Sequence, residues 1–305
     1  MKEIKVGIVI VNYNGKADTL ACLHSLQKLE IRNLKFEIII VDNASIDDSV
    51  VAIKKQFPWV KVIENQENLG FVGGNNVGIK RVLQNGADYV LVLNNDTLVS
   101  KNLLQELLRI SGRDPKIGII VPKIYFASGY EFHKERYSSK DLGRIIWYAG
   151  GKIDWRNMFG VHLGVDEVDR GQFEEEKEIT FATGCCLLIK REVLTKIALF
   201  DEKFFLYGED VDFSIRVVRA GFKIFYAPKA HLWHKNAGSS SAGSSLHDYY
   251  ITRNRLLLGW RYAPWRVKLA LLKQSGQRLI QGRDWEKKGI IDFYLGKFRK
   301  GSYEN

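Results

Sequence analysis

The stretch Val6-Gly7-Ile8-Val9-Ile10-Val11-Asn12-Tyr13-Asn14-Gly15 is apolar over its first part and abruptly polar from Asn12 onward. A short unbroken apolar run closed by a turn signal reads as a strand buried inside a sheet. Its polar residues then fall at the strand's carboxyl end. Working outward, apolar runs predict further strands over 37–41, 60–64, 89–93 and 117–121, and helical periodicity predicts helices over 16–29, 47–56, 73–83 and 101–110. Strands and helices alternating at this spacing predict an α/β fold with a Rossmann-like, mostly parallel sheet and helices on both faces. Ligands of such sheets bind at the carboxyl ends of the strands. This chain places Asn12 to Gly15, Asp42-Asn43-Ala44-Ser45, the run 65–74 and Asn94-Asn95-Asp96-Thr97 there.

Each of these clusters has a chemical and a merely structural reading. Asp42 ends a strand and can accept the imide N–H of a uracil or thymine ring, with Tyr13 packing on the base; equally, Asp-Asn-x-Ser is an Asx-turn that opens the next helix. The run from Asn65 through Asn68, Gly70 and Asn75 to Asn76 fits neither the dinucleotide nor the P-loop glycine pattern. It still sets backbone N–H groups and amide side chains at a helix N-terminus, where a diphosphate or ribose is readily held. In Asn94-Asn95-Asp96, the carboxylate can bind a hard divalent cation bridging two phosphates, although one Asp needs a second ligand. His234 can supply it, or can be a hydrogen-bonded structural histidine.

The stretch Phe204-Phe205-Leu206-Tyr207-Gly208-Glu209-Asp210-Val211-Asp212-Phe213 puts three carboxylates where an aromatic run meets a helix start. Val211, Ile215 and Val218 repeat at i, i+4 and i+7, with Gly221 as the stop, so Asp210 is expected at or near the N-cap. A carboxylate held by backbone N–H groups beside aromatic walls suits a general base; simple helix capping is the alternative.

The chain has 305 residues, enough for one large domain or a domain with an elaborated second lobe. Its three cysteines, Cys22, Cys185 and Cys186, have no zinc-binding spacing and read as buried free thiols. No secretory signal pattern precedes the first strand and no apolar run approaches a bilayer span, so a cytoplasmic protein, free or bound to a membrane surface, is expected. The net charge of +11 is uneven: residues 246–305 carry 13 Lys plus Arg against 5 Asp plus Glu, a net +8, interspersed with Trp260, Tyr262, Trp265 and Trp285. That mixture suits anionic lipid headgroups, and self-association is compatible with it too. Nucleic acid is disfavoured, because no recognised nucleic-acid-binding motif accompanies the charge. Between 125 and 178 the pattern breaks into short aromatic and charged pieces, read as a loop-rich inserted lobe with a solvated loop at Glu174-Glu175-Glu176. Lys223 to Tyr226 reads as a further strand, residues 237–245, rich in Gly and Ser, read as a hinge or lid, and the freer part of the C-terminal segment is expected to begin near Arg261.

Taken together, Val9 to Gly15, Val41 to Ser45, Asn68 to Phe71 with Asn75-Asn76, Leu93 to Thr97, Thr183-Gly184-Cys185-Cys186 and the Phe200 to Asp212 block resemble an inverting family 2 glycosyltransferase of the GT-A fold, rhamnosyltransferase-like. Their order and spacing match from about residue 5 to residue 260. The resemblance implies a nucleotide-sugar-binding half over 1–122, an acceptor and catalytic half over 123–245, and a helical, basic, aromatic segment over 246–305. It implies Asp210 as catalytic base with Glu209 beside it. Donor contacts would come from Asn12, Tyr13, Asp42, Asn68, Gly70, Asn75, Asn95 and Asp96, and a divalent Mg or Mn would be held by Asp96 and His234. Asn94 stands where the family's D-x-D motif has its first acid. The implied reaction moves rhamnose or a similar sugar from a dTDP- or UDP-activated donor to a hydroxyl of a glycan or lipid-linked glycan, on the inner face of a membrane if the basic segment binds lipid. The rival classes are a nucleotidyltransferase, identified by pyrophosphate release, and a non-catalytic sugar-nucleotide-binding module.

Overall fold

In the computed structural model, residues 3–30, 34–236 and 243–303 are described. Strands β1 (Ile4–Asn12), β2 (Leu34–Asp42), β3 (Lys61–Glu64) and β4 (Tyr89–Leu93) alternate with helices α1 (Lys16–Leu26), α2 (Ser49–Gln56) and α3 (Gly70–Gln84). All four strands pair in parallel, in the order β4-β1-β2-β3. The apolar run of β1 is the reason for its place: Val6, Ile8, Val9 and Ile10 are fully buried between the helical layers. Helix α3 lies unusually close to this strand. A Cβ on Gly7 would stand 2.3 Å from the Cβ of Val82, and one on Gly78 would stand 2.3 Å from Val9 Cγ1.

After β4 come β5 (Thr97–Val99), α4 (Leu103–Ser111) and β6 (Ile117–Phe126), then β7 (Ile146–Tyr148), β8 (Gly151–Asp154), β9 (Phe159–His162), β10 (Lys177–Ile179) and β11 (Cys186–Lys190). Helices α5 (Arg191–Ile197) and α6 (Glu209–Arg219) precede β12 (Lys223–His234), and α7 (Ser245–Tyr262), α8 (Trp265–Gln281) and α9 (Asp284–Tyr294) finish the chain. The main sheet runs β10-β12-β6-β11-β4-β1-β2-β3, with β5 on β12 and β7 on β6. Strand β11 is antiparallel to both neighbours, whereas β12 is parallel to β6.

Four sequence expectations change. The lobe at 125–178 is less separate than its composition suggests: β7 and β10 join the main sheet and β8 pairs with β9 in a small hairpin. Strands of three or four residues carry too few alternations to show a period. The Glu174-Glu175-Glu176 run is not simply solvated, because Glu174 joins Asp169 on the buried Lys123 and Glu176 pairs with Arg109 and Arg113. The last apolar strand continues well past Tyr226, since the register shift between Ala227 and His231 absorbs Pro228. The C-terminal segment is not free from Arg261 onward. Arg261 binds Asp201 at 2.5 Å and Asp212 at 2.9 Å, and α9 packs on α7 with Tyr303 against Tyr249 and Tyr250.

Cys22, Cys185 and Cys186 are buried free thiols. Of the expected hinge, residues 237–242 lie outside the described residues. Among the described residues, no helix is long and apolar enough to cross a membrane.

Candidate active site

The parallel register of β1 and β2 sets Asn12 opposite Asp42, and the two side chains meet in the sheet's carboxyl edge. Asn12 Nδ2 donates to Asp42 Oδ2 at 2.7 Å, and Ser45 donates to Asp42 twice, from its backbone N–H to Oδ1 at 2.8 Å and from its hydroxyl to Oδ2 at 2.7 Å. The Asx-turn reading is therefore realised. A carboxylate offers about four acceptor positions, so room for one more donor remains on Asp42. Thr19 links this cluster to the next strand end, donating to Asn12 Oδ1 at 2.7 Å and accepting from Asn95 Nδ2 at 3.0 Å. Gly15 lets this happen, since its Cβ would lie 2.5 Å from Asn95 Nδ2. Tyr13, immediately after Asn12, is exposed at the rim.

Helix α3 begins at Gly70, three residues before the expected start. The N–H groups expected to face a diphosphate or ribose there are paired within the chain: Gly70 to Asn68 Oδ1 at 2.8 Å, Val72 to Phe205 O and Gly73 to Leu69 O at 3.3 Å each. Gly70 has φ +69°, and a Cβ on it would meet Phe205 O at 2.5 Å. Asn75 Nδ2 donates back to Phe71 O at 2.9 Å in its own helix. Asn68, Gly70 and Asn75 thus form a joint between α3 and the loop before α6, with three N–H groups of this helix end already taken up within the chain.

Asp96 and His234 are far apart in sequence and adjacent in space. The antiparallel β5–β12 pairing puts His234 opposite Thr97, and His234 Nε2 comes within 3.0 Å of Asp96 Oδ1. His234 is buried, its Nδ1 has no hydrogen-bond partner, and its ring meets Trp147 edge-on with centroids 4.6 Å apart. Asn94 and Asn95 sit at the end of β4 beside this pair. Among the described residues no cluster of three or more His, Cys, Asp or Glu forms a ready metal cage.

The three carboxylates of α6 occupy three environments. Gly208, with φ 85°, is the N-cap, so Asp210 is the second helical residue and not the cap itself. The buried face is Val211, Ile215 and Val217, while Val218 is exposed. Asp210 accepts from the backbone N–H of Val211 at 2.8 Å and of Gly184 at 3.2 Å, so the Thr183-Gly184 turn holds its carboxylate. Burial nevertheless outweighs these bonds and raises its pKa to about 6. Glu209 is held well above the usual carboxylate range by burial and then by the charge of Asp210, and its Oε2 has no partner. Asp212 is fully buried and bonded to Arg216 at 2.8 Å, Arg261 at 2.9 Å and the Tyr262 hydroxyl at 2.6 Å.

A cavity of about 230 Å³ opens on this turn, with Tyr207, Glu209, Asp210, His162, Phe181 and Arg255 in its wall. Sequence reasoning missed His162, Asn254 and Arg255. His162 lies in the short strand β9 and its Nδ1 donates to Trp147 O at 3.1 Å; burial lowers its pKa to about 4 and keeps it neutral. Asn254 Nδ2 donates to Leu206 O at 2.8 Å and Tyr207 O at 2.7 Å, so α7 fixes the approach to α6. Asn254, set between Arg253 and Arg255 in a helical stretch, gave no local sign of this role.

The comparisons agree with this architecture. The family model described as Glycosyl transferase family 2 matches residues 7–198. The N-acetylglucosaminyl-diphospho-decaprenol L-rhamnosyltransferase of Mycobacterium tuberculosis (strain CDC 1551 / Oshkosh) is 25% identical over 254 residues, covering 78% of this chain and 81% of its own. The low-salt glycan biosynthesis hexosyltransferase Agl10 of Haloferax volcanii is 26% identical over 254 residues, covering 83% of this chain and 74% of its own. Among solved structures, GalNAc-T7 with UDP, GalNAc and Mn2+ superposes with a TM-score of 0.68 at 19% identity, over 96% of this chain and 55% of that one. This chain thus spans about half of that neighbour's length, and the likeness is one of fold. The mannosyltransferase PcManGT from Pyrobaculum calidifontis, in complex with GDP-Man and Mn2+, superposes with a TM-score of 0.54 at 14% identity, over 98% of this chain and 76% of that one. The fold is that of the GT-A glycosyltransferases. The chain belongs to glycosyl transferase family 2 and is a glycosyltransferase.

The different surroundings of the three acids make one prediction. Asp212→Ala leaves Arg216 and Arg261 without their shared partner in a buried site and costs about 3–5 kcal/mol of stability. Glu209→Gln replaces a protonated acid with a neutral isostere and leaves the urea midpoint nearly unchanged. Urea unfolding of the two variants checks this; equal midpoints would contradict it.

Proposed function

We propose that the enzyme moves a hexose, rhamnose or a close relative, from a dTDP- or UDP-activated donor to a hydroxyl of a lipid-linked glycan, with inversion. The observation that carries the reading is Asp210: a half-buried carboxylate with a pKa of about 6, held by two backbone N–H groups in the wall of a cavity. A base titrating close to neutral pH combines a large deprotonated fraction with useful basicity. Asp210 takes the proton of the acceptor hydroxyl as that oxygen bonds to the anomeric carbon. The bond from that carbon to the diphosphate oxygen breaks, and the nucleoside diphosphate leaves with the electron pair from the opposite face. Glu209, whose charged form burial and the neighbouring Asp210 disfavour, shapes the turn beside the base. Asp42 uses its remaining acceptor position for the pyrimidine imide, with Tyr13 at the rim beside the base and Asn12 and Asn95 bracing the strand ends. The names of the rhamnosyltransferase and hexosyltransferase relatives support the donor and acceptor classes.

Asp96 and His234 fit a divalent cation, Mg or Mn. One carboxylate and one imidazole converge at 3.0 Å, and an incomplete set of this kind suits an ion that completes its shell with phosphate oxygens and water. Such an ion, when bound, neutralises the departing diphosphate. The Mn2+ in two GT-A neighbours supports the choice.

The protein is proposed to work at the inner face of a membrane. On α8 the exposed Trp265, Leu269, Leu272, Leu279 and Ile280 recur at i, i+4, i+7, i+14 and i+15, a single stripe lying away from the buried Leu271 and Ser275. Arg266 and Lys273 flank it on one side and Lys268 on the other. An apolar stripe edged by cations matches an anionic leaflet, which takes the indole and aliphatic groups into the interface.

Three outcomes are expected. Asp210→Asn lowers kcat by about 10²- to 10⁴-fold with donor Kd little changed. In the wild type, kcat falls on the acid side with a midpoint near 6, because protonating Asp210 removes the base; a fully active Asn variant would sink the assignment. Secondly, chelation abolishes turnover, added Mn2+ or Mg2+ restores it, and Asp96→Ala raises the metal concentration needed. Activity indifferent to chelator would exclude Asp96 and His234 as ligands. Thirdly, the protein co-sediments with anionic vesicles, less at high salt, and Trp265→Ser with Leu269→Ser releases it. Recovery in the supernatant under every condition would rule out the membrane reading.

A further inference from the structure

A second cavity, of about 90 Å³, lies among α7, α8 and α9, with Thr252, Arg255, Gln274, Ser275 and Arg278 as its polar wall. It adjoins the cavity at Asp210, and Phe159, Ile251 and Arg255 line both. Arg255 stands at the junction. Its Nε donates to Asn157 O at 2.7 Å and its guanidinium lies over the Phe159 ring, 5.0 Å from the centroid. These contacts orient the planar head and use one of its five donors. Arg278 approaches from α8, paired with Glu286, which Arg283 also reaches at 3.6 Å. Burial lowers the pKa of Arg255 and the neighbouring Arg278 charge lowers it further, while Asp154 only partly offsets this. Glu286 engages one nitrogen of Arg278, and both guanidinium groups keep further N–H donors for an anion in the small cavity they line. Guanidinium forks match phosphate oxygens bidentately.

We propose that this arginine-lined cavity is the subsite for the diphosphate of a prenyl-diphosphate-linked acceptor sugar. The proposal rests on the lipid-linked acceptor reading above and gives it a location. The acceptor sugar spans the larger cavity with its hydroxyl at Asp210, and its anomeric diphosphate reaches Arg255 and Arg278. The prenyl chain then leaves over the neighbouring positions Leu272 and Leu279 on the exposed stripe of α8. One end of the acceptor is recognised by charge, the other by apolar surface, and the reacting hydroxyl is placed by the distance between them.

The test measures binding and transfer separately on the full chain. Uridine or thymidine diphosphate is first added to saturation to fill the donor site, and calorimetry then follows binding of farnesyl diphosphate, with farnesol as control. The wild type binds the diphosphate and not the alcohol. Arg255→Gln and Arg278→Gln each raise Kd roughly tenfold or more, and Arg255→Lys falls between, since it keeps the charge and loses the fork. In transfer assays the same Gln variants raise KM for a prenyl-diphosphate-linked sugar several-fold more than KM for the alkyl glycoside of that sugar, while KM for the donor stays near wild type. The unchanged donor KM also shows that the variants are folded. No farnesyl diphosphate binding by the wild type, equal binding of farnesol, or unchanged Kd in both Gln variants overturns the subsite. Binding lost as expected in the variants, but with no transfer by the wild type to any prenyl-diphosphate sugar, leaves the subsite standing and overturns the acceptor class instead.

Discussion

Three carboxylates crowded into the first turn of one helix, Glu209 and Asp212 buried and Asp210 half-buried, are the constraint around which the site is organised. Left charged and unpaired, each would cost several kcal/mol of desolvation. The chain resolves the three differently. Asp212 is matched by two arginines and a tyrosine hydroxyl, Glu209 keeps its proton, and Asp210 receives two backbone N–H groups, enough to lower its pKa only part of the way back. Full compensation would have made Asp210 a weak base and none would have left it protonated. The intermediate case is the one with catalytic use.

The partners that make this possible come from outside α6. Arg261 and Tyr262 belong to the end of α7, and Asn254 from the same helix holds the carbonyls of Leu206 and Tyr207 just before the turn. Phe205 in turn stacks on Tyr250, with ring centroids 5.2 Å apart, while its carbonyl receives the Val72 N–H at the start of α3. Asp210, the proposed base, is therefore clamped between the start of α3 and the C-terminal helices. A basic C-terminal segment is accordingly not a simple tail. Some of its cations are spent on internal acids, Arg261 on Asp201 and Asp212 and Arg283 on Asp248, whereas Arg266, Lys268 and Lys273 remain beside exposed apolar side chains.

Much of the architecture was legible before any coordinates. Continuous apolar runs such as Val6 to Val11 and Tyr89 to Leu93 can be stable only as strands covered on both sides, so the α/β layout and the location of a site at the strand ends follow directly. The short strands of the middle region were not legible, because Ile146 to Tyr148 and Lys177 to Ile179 acquire strand geometry only by hydrogen bonding to β6 and β12. Pro228 similarly hid the second half of β12, although a register shift carries the strand past it.

The sequence by itself determined which residues could do chemistry: the acids at 42, 96 and 210 are local features of strand ends and a helix start, and their residue types restrict what they can bind or abstract. Tertiary structure decided their states and companions. Asp96 meets His234 only because β5 pairs antiparallel with β12, and the pKa of Asp210 reflects how deeply the Gly184 turn and the cavity wall enclose it. His162 and Arg255 reach the wall of the cavity at Asp210 from a strand and a helix far apart in sequence. Local sequence encodes propensity and residue chemistry, whereas burial and long-range register depend on the whole chain closing on itself, so a charge state or a two-residue site cannot be read from either neighbourhood alone.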